Sequence, residues 1–196
     1  MAIDLIKRGQ TVDITKNRSG LNKLTVGLSW KTGGATGILG ALFGGGGGAV
    51  DVDSAVLAVD MNGRKQDLVY FGNKRSNGII HAGDDRTGNQ KFGEVDNEEI
   101  AIDLSRIHPN VQKLVFIVNI YSGSSNFGAI KESYIRLLNS DNKEELIRYN
   151  LTEDYKGKKG IVVGELYRRE NEWKFRALGE GTISGNLNEI ARTVLN

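Results

Sequence analysis

The sequence predicts a mainly β protein: an antiparallel β-sandwich of two sheets with a short C-terminal helix. Three observations carry that expectation. Short runs rich in β-branched and aromatic residues recur along most of the chain. Turn dipeptides punctuate them at Asn62-Gly63, Asn77-Gly78, Asp141-Asn142 and Glu170-Asn171. The one persuasive helical period lies at the end, where Leu187, Ile190, Ala191, Val194 and Leu195 share a face.

In chain order the expected strands are 24–30, 50–59, 67–71, 79–82, 100–104, 114–121, 134–138, 146–149, 161–167 and 173–178. The run Leu114-Val-Phe-Ile-Val-Asn-Ile-Tyr121 is nearly continuous in apolar side chains, which suits a central strand covered on both faces. Asn186 with Glu189 three residues on forms a capping pair for the helix, which is expected to dock on the sandwich. Many short strands with even turn spacing favour an antiparallel sandwich over a parallel α/β sheet. The whole span 1–196 reads as a single domain, interrupted by a glycine-rich insertion at 33–48 that ends in five consecutive glycines. The apolar Ile38, Leu39, Leu42 and Phe43 within it read as part of an excursion between strands, or as a mobile interaction element. The two halves also echo each other. Lys23-Leu24 resembles Lys113-Leu114, and the stretch from Asp53 resembles that from Glu132, as an internal pseudo-repeat would.

Composition removes several function classes. There is no cysteine, hence no disulfide, thiol nucleophile, iron–sulfur cluster or thiolate zinc site. No apolar run approaches the ~18 residues of a membrane span, and the first residues do not read as a secretory signal; the expected address is cytoplasmic. His81 and His108 lie far apart with no metalloprotease spacing. His81 sits among acids, though a lone histidine is more often structural. Gly44-x-Gly46-x-x-Ala49 fits a dinucleotide fingerprint only superficially, because a strand and not a helix follows it. Arg168, Arg169, Lys174 and Arg176 are dispersed over two strands without a nucleic-acid motif, so no nucleic-acid partner is expected.

The formal net charge of +2 hides an acidic block, with eleven acids against six bases between Asp51 and Asp103. Three stretches concentrate it: Asp51-Val-Asp53, Gly83-Asp84-Asp85-Arg86-Thr87-Gly88, and Gly93-Glu94-Val95-Asp96-Asn97-Glu98-Glu99. Strand periodicity turns Asp51 and Asp53 to one face. Clustered carboxylates are costly unless a cation neutralises them, and loops rich in Asp, Glu, Asn and Gly suit calcium better than the strictly octahedral magnesium. Neither loop is an EF-hand. The rival chemistry, a paired-carboxylate hydrolase, needs a cleft with sugar-stacking aromatics, and aromatics are only 7% of this chain.

Asp51-x-Asp53-Ser-Ala, Tyr70-Phe-Gly-Asn73, His81-Ala-Gly-Asp84-Asp85-Arg-Thr-Gly88 and Asp96-Asn-Glu98 resemble the TerD family of tellurite-resistance and general stress proteins. Phe127-Gly128, Tyr134-Ile-Arg136-Leu, Tyr149-Asn-Leu-Thr-Glu-Asp154, Gly164-Glu-Leu-Tyr-Arg168 and Glu172-Trp-Lys-Phe-Arg-Ala-Leu-Gly179 extend the resemblance over essentially the whole chain. It implies a β-sandwich that binds calcium through acidic loops, in a bacterial cytoplasmic stress-response protein with no established enzymatic activity. Val95 stands where the family's acidic tract usually has glycine, and Asp85 where the Gly-Asp-Asn-Arg-Thr-Gly loop has asparagine.

The expected side-chain ligands for calcium are therefore Asp51, Asp53, Asp84, Asp96 and Glu98, with Asn73, Asp85 and Asn97 as second choices. The expected role is a non-catalytic binding module whose partners are calcium and other stress-response proteins. The alternatives are a carboxylate-based or calcium-assisted hydrolase, and a scaffold that binds no metal tightly.

Overall fold

The computed structural model of the chain describes residues 3–4, 8–32, 50–83, 92–121, 125–151 and 155–195. The glycine-rich insertion at 33–48 lies outside the described residues, as do Asp84 and Asp85.

Every strand expected from the sequence forms. The first half supplies β1 (Ile3–Asp4), β2 (Thr11–Asp13), β3 (Lys23–Thr32), β4 (Val52–Asp60), β5 (Lys65–Val69), β6 (Arg75–Ser76), β7 (Ile79–His81) and β8 (Glu98–Asp103). The second half supplies β9 (Val111–Ile120), β10 (Ile130–Asn139), β11 (Glu145–Asn150), β12 (Gly160–Arg169) and β13 (Glu172–Thr182), followed by helix α1 (Leu187–Leu195). The short β1, β2 and β6 escape a sequence reading because two or three residues carry no legible period.

One sheet has the order β1-β11-β10-β3-β8-β7-β6 and the other β2-β13-β12-β9-β4-β5. Pairings between the described strands are antiparallel apart from β1 on β11, which is parallel. The internal echo is visible in this order. Exchanging β3, β4, β5 and β8 with β9, β10, β11 and β12 turns β11-β10-β3-β8 into β5-β4-β9-β12, which is the arrangement found in the second sheet.

Alternation along each strand sorts side chains between three layers. Leu24, Val26, Leu28 and Trp30 of β3 meet Val52, Val56 and Ala58 of β4 and Leu114, Phe116, Val118 and Ile120 of β9 in the core between the sheets. The alternate residues Ala55, Leu57, Val59, Val115 and Ile117 form a second cluster on the outer face of the second sheet. Ile190 and Ala191 of α1 cover it, with Leu187, Val194 and Leu195 at the margin. That is why Val52 to Val59 and Leu114 to Ile120 are buried without interruption, as expected for a strand covered on both faces. Asn186 caps α1, its Oδ1 accepting from the N–H groups of Asn188 (3.0 Å) and Glu189 (3.2 Å). Glu189 does not close a capping box; its carboxylate accepts from the Ser184 hydroxyl at 2.5 Å instead. No helix among the described residues is long and apolar enough to cross a membrane.

Candidate functional site

The ends of β3, β4, β7 and β8 that carry the predicted ligands come together at one end of the sandwich. Glu98 opens β8, whose alternation sends Glu98, Ile100 and Ile102 inward and leaves Glu99 and Ala101 exposed. A carboxyl group therefore enters the space between the sheets, beside Leu28 in the β3 register. Ser54 reaches it from the opposite sheet. Its backbone N–H and its hydroxyl both donate to Glu98 Oε2, each at 2.7 Å. This is a polar bridge across a hydrophobic core, tolerated because the buried oxygen is hydrogen-bonded twice.

His81, at the end of β7, completes the group. The Gly83 N–H donates to His81 Nδ1 at 3.2 Å, which puts the ring hydrogen on Nε2. Nε2 faces Glu98 Oε2 from 3.6 Å, with both side chains fully buried; that separation is longer than a hydrogen bond. Glu98 Oε1 and His81 Nε2 make no hydrogen bond among the described residues.

Asn97 and Asp51 are tied to the same end through Trp30. The Asn97 N–H donates to the Leu28 carbonyl at 2.8 Å, and Asn97 Oδ1 accepts from the Trp30 N–H at 3.0 Å. Trp30 Nε1 in turn donates to the Val50 carbonyl at 3.0 Å, fixing the chain one residue before Asp51. Asp51 lies just outside β4 and is half-buried. Asp53 is buried and points away from Ser54, onto the outer face of the second sheet, opposite Asn119 of β9. Asn119 Nδ2 donates to the Gly185 carbonyl at 3.1 Å, while its Oδ1 is buried without a hydrogen bond among the described residues. Asp53 and Glu98 thus approach β4 from opposite faces, a separation that the strand period alone did not reveal because the two residues lie on different sheets.

The remaining predicted residues lie elsewhere. Asp96 folds over the outer face of the first sheet, against Gly27, where a Cβ would come within 2.0 Å of Asp96 Oδ2. Arg136 Nε donates to Asp96 Oδ2 at 3.0 Å, Nη2 is ion-paired with the same oxygen at 3.0 Å, and the Tyr134 hydroxyl faces Oδ1 at 3.4 Å. Burial pushes the Asp96 carboxyl above the ordinary aspartate range against the pull of Arg136 and Tyr134. Burial opposes the Arg136 charge as well, but the Asp96 carboxylate outweighs it and raises the guanidinium. Arg148 stacks on the Tyr134 ring at 4.0 Å and Phe92 packs edge-on against it. Asn73 is exposed and closes the turn after β5, donating to the Leu68 carbonyl (2.8 Å) and to Asp67 (3.2 Å). Among the described residues no three His, Asp or Glu side chains gather into a metal cage.

Two residues at this end were not singled out by sequence reasoning. Ser54 was read only as part of a motif, and Asn119 only as part of an apolar strand. The signal was present in both cases: each is a polar residue at an otherwise apolar parity of a central strand. His81 was weighed as structural; in the fold it faces Glu98.

The TerD domain family matches residues 1–193 of the chain. Stress response protein SCP2 of Bacillus subtilis (strain 168) is 43% identical over 201 residues, an alignment covering 97% of this chain and 98% of that protein. Tellurium resistance protein TerD of Serratia marcescens is 32% identical over 204 residues, covering 100% of this chain and 99% of that one. Among solved structures, SAV2460, a protein of unknown function, superposes with a TM-score of 0.71 at 20% identity, covering 90% of this chain and 98% of that chain. A Streptomyces coelicolor homologue of the telluride resistance protein superposes with a TM-score of 0.66 at 22% identity, over 88% of this chain and 96% of that one. At these identities the structural likeness is one of fold, while the sequence matches run nearly end to end: the chain belongs to the TerD domain family.

Proposed function

We propose that the protein is a calcium-binding module of the stress response that acts by binding and not by catalysis. Its relatives are named for stress response and tellurium resistance. The observation that carries the calcium reading is Glu98: a fully buried carboxyl with Oε2 doubly bonded and Oε1 without a hydrogen bond among the described residues. A buried acceptor of this kind fits a hard cation. Asp51, Asp53 and Asn97 lie at the same end; the expected ligands Asp84 and Asp85 lie outside the described residues. Calcium held at Glu98 would supply positive charge that offsets the electrostatic cost of burying its carboxylate. Asp96 is already engaged by Arg136, which leaves it the weakest of the expected ligands.

The geometry also supports a role without catalysis. Ser54, Glu98 and His81 have the residue types of a hydrolytic triad, but Glu98 lies between the hydroxyl and the imidazole. The histidine Nε2 makes no hydrogen bond to Ser54 Oγ through which to take its proton. All three residues are buried in the core end.

Calorimetric titration with calcium, together with melting curves in calcium and in chelator, tests this reading. Calcium should bind and raise the melting temperature, since a ligand of the folded state stabilises by mass action. Glu98→Gln should remove most of both effects. An absence of calcium heat with a melting temperature indifferent to chelator would refute it.

A further inference from the structure

We infer that Ser54 and His81 are positioning residues for the cation: they occupy one oxygen of Glu98 so that the other is presented to calcium. The inference deepens the calcium reading and rests on it.

The argument starts from the two ends of the Glu98 carboxyl group. Both Ser54 donors converge on Oε2, from a different sheet, with neither reaching Oε1. His81 Nε2 approaches that same oxygen, at 3.6 Å. Two hydrogen bonds on one oxygen, with the imidazole facing it at 3.6 Å, and no hydrogen bond on the other among the described residues, is an asymmetry that hydrophobic packing does not require. It is the arrangement expected of a ligand held by outer partners, since such partners fix a ligating carboxylate by hydrogen-bonding the oxygen that faces away from the metal.

The tautomer of His81 decides against a rival role. A histidine that ligates a metal through Nε2 needs a lone pair there. The Gly83 N–H donates to Nδ1, so the lone pair is on Nδ1 and the hydrogen is on Nε2, facing Glu98. His81 thus turns its Nε2–H toward the carboxyl group from 3.6 Å and is not a ligand. Its contact with Gly83 also ties the last described residue before the 84–91 segment to the same oxygen, through one imidazole ring. Ser54 and His81 join three chain segments at Glu98: β4 of one sheet, and β7 and β8 of the other.

Calcium titrations of the full chain test this with paired variants. Ser54→Ala removes a donor from Oε2 and His81→Leu removes the imidazole N–H that faces it, whereas Ser54→Thr keeps the hydroxyl and His81→Gln puts an amide N–H where Nε2 stood. Loss of an outer partner costs about 10–100-fold in metal affinity. We expect losses of that order in Ser54→Ala and His81→Leu, and affinities near that of the native protein in Ser54→Thr and His81→Gln. Circular dichroism establishes that each variant is folded; if His81→Leu does not fold, the Ser54 pair decides. Native affinity in both Ser54→Ala and His81→Leu would overturn the inference while leaving the calcium reading intact. So would equal losses in the conservative and disruptive members of each pair, which would show a packing effect. If the native chain and Glu98→Gln both fail to bind calcium, the calcium reading and this inference fall together.

Discussion

Asp96 and Gly27 show how a single residue sets what its neighbour can be. The Asp96 side chain is fully buried and lies on the backbone of β3, a position open only because Gly27 has no Cβ. Arg136 gives one of its oxygens a hydrogen bond from Nε and an ion-pair contact from Nη2, and Arg136 itself is shared with Glu145 at 3.3 Å. Removing one partner of a buried pair leaves the other charge uncompensated, a loss of about 3–5 kcal/mol. Arg136→Ala should therefore destabilise the protein by an amount in that range, read as a lowered denaturant midpoint. Asp96→Asn is a different perturbation, because it removes the charge together with its burial cost. It should leave calcium affinity nearly unchanged while Glu98→Gln abolishes it; equal losses in both variants would place Asp96 among the ligands.

At the scale of the element, α1 shows how amphipathic spacing becomes tertiary burial. Its apolar positions were legible as i, i+3, i+4 spacing, and they land on the outer cluster of the second sheet. Ile190 is 1% exposed, and a Cβ on Gly160 of β12 would come within 2.4 Å of its Cδ1, so helix and strand meet closely there. Ile190→Ala should cost roughly 2–4 kcal/mol, the usual range for truncating a buried isoleucine. Asn186→Ala should cost about 1 kcal/mol through loss of the cap. Both follow from thermal or urea unfolding. An Ile190→Ala change without effect would mean that the helix contributes little to holding the outer face. The donor to Glu189, the Ser184 hydroxyl in place of the backbone N–H of a capping box, shows that a sequence signature names the right residues without fixing the partner.

Part of the response of the whole molecule to acid comes from the network on the outer face of the first sheet. Burial opposes ionisation of Glu145, but the hydrogen bonds and charges of Arg148 and Arg136 outweigh it and hold its pKa below the ordinary glutamate value of 4.5. The folded-state pKa is thus below the unfolded one. The stabilisation is fully present above about pH 4.5 and is lost as pH falls through the lower, folded value. Asp103 has the same sign, its carboxyl lowered by hydrogen bonds from Ser105. Asp96 has the opposite sign, since burial raises it. Stability measured by denaturant titration should therefore decline on the acid side of pH 4.5, and Glu145→Gln should flatten that decline. A Glu145→Gln variant with the native acid profile would show that these ion pairs do not govern it.

The sequence by itself determined the two-sheet sandwich, its strands, the C-terminal helix and the family. Each rests on a local period or an ordered motif: alternation in β4 and β9, the apolar stripe of α1, the turn dipeptides. A period says which residues share a face of one element, and it was enough to bury Val52 to Val59 and Leu114 to Ile120. It does not say which elements face each other. Only the tertiary structure decided that Ser54 and Glu98 meet across the two sheets, that Asp53 lies on the far side of β4 from both, and that Asp96 is taken by Arg136. These contacts join residues 40 or more positions apart in the chain. Hydrogen-bond partners at that distance are chosen by strand order and register, which hydrophobic burial over the whole chain sets at once and no local pattern encodes.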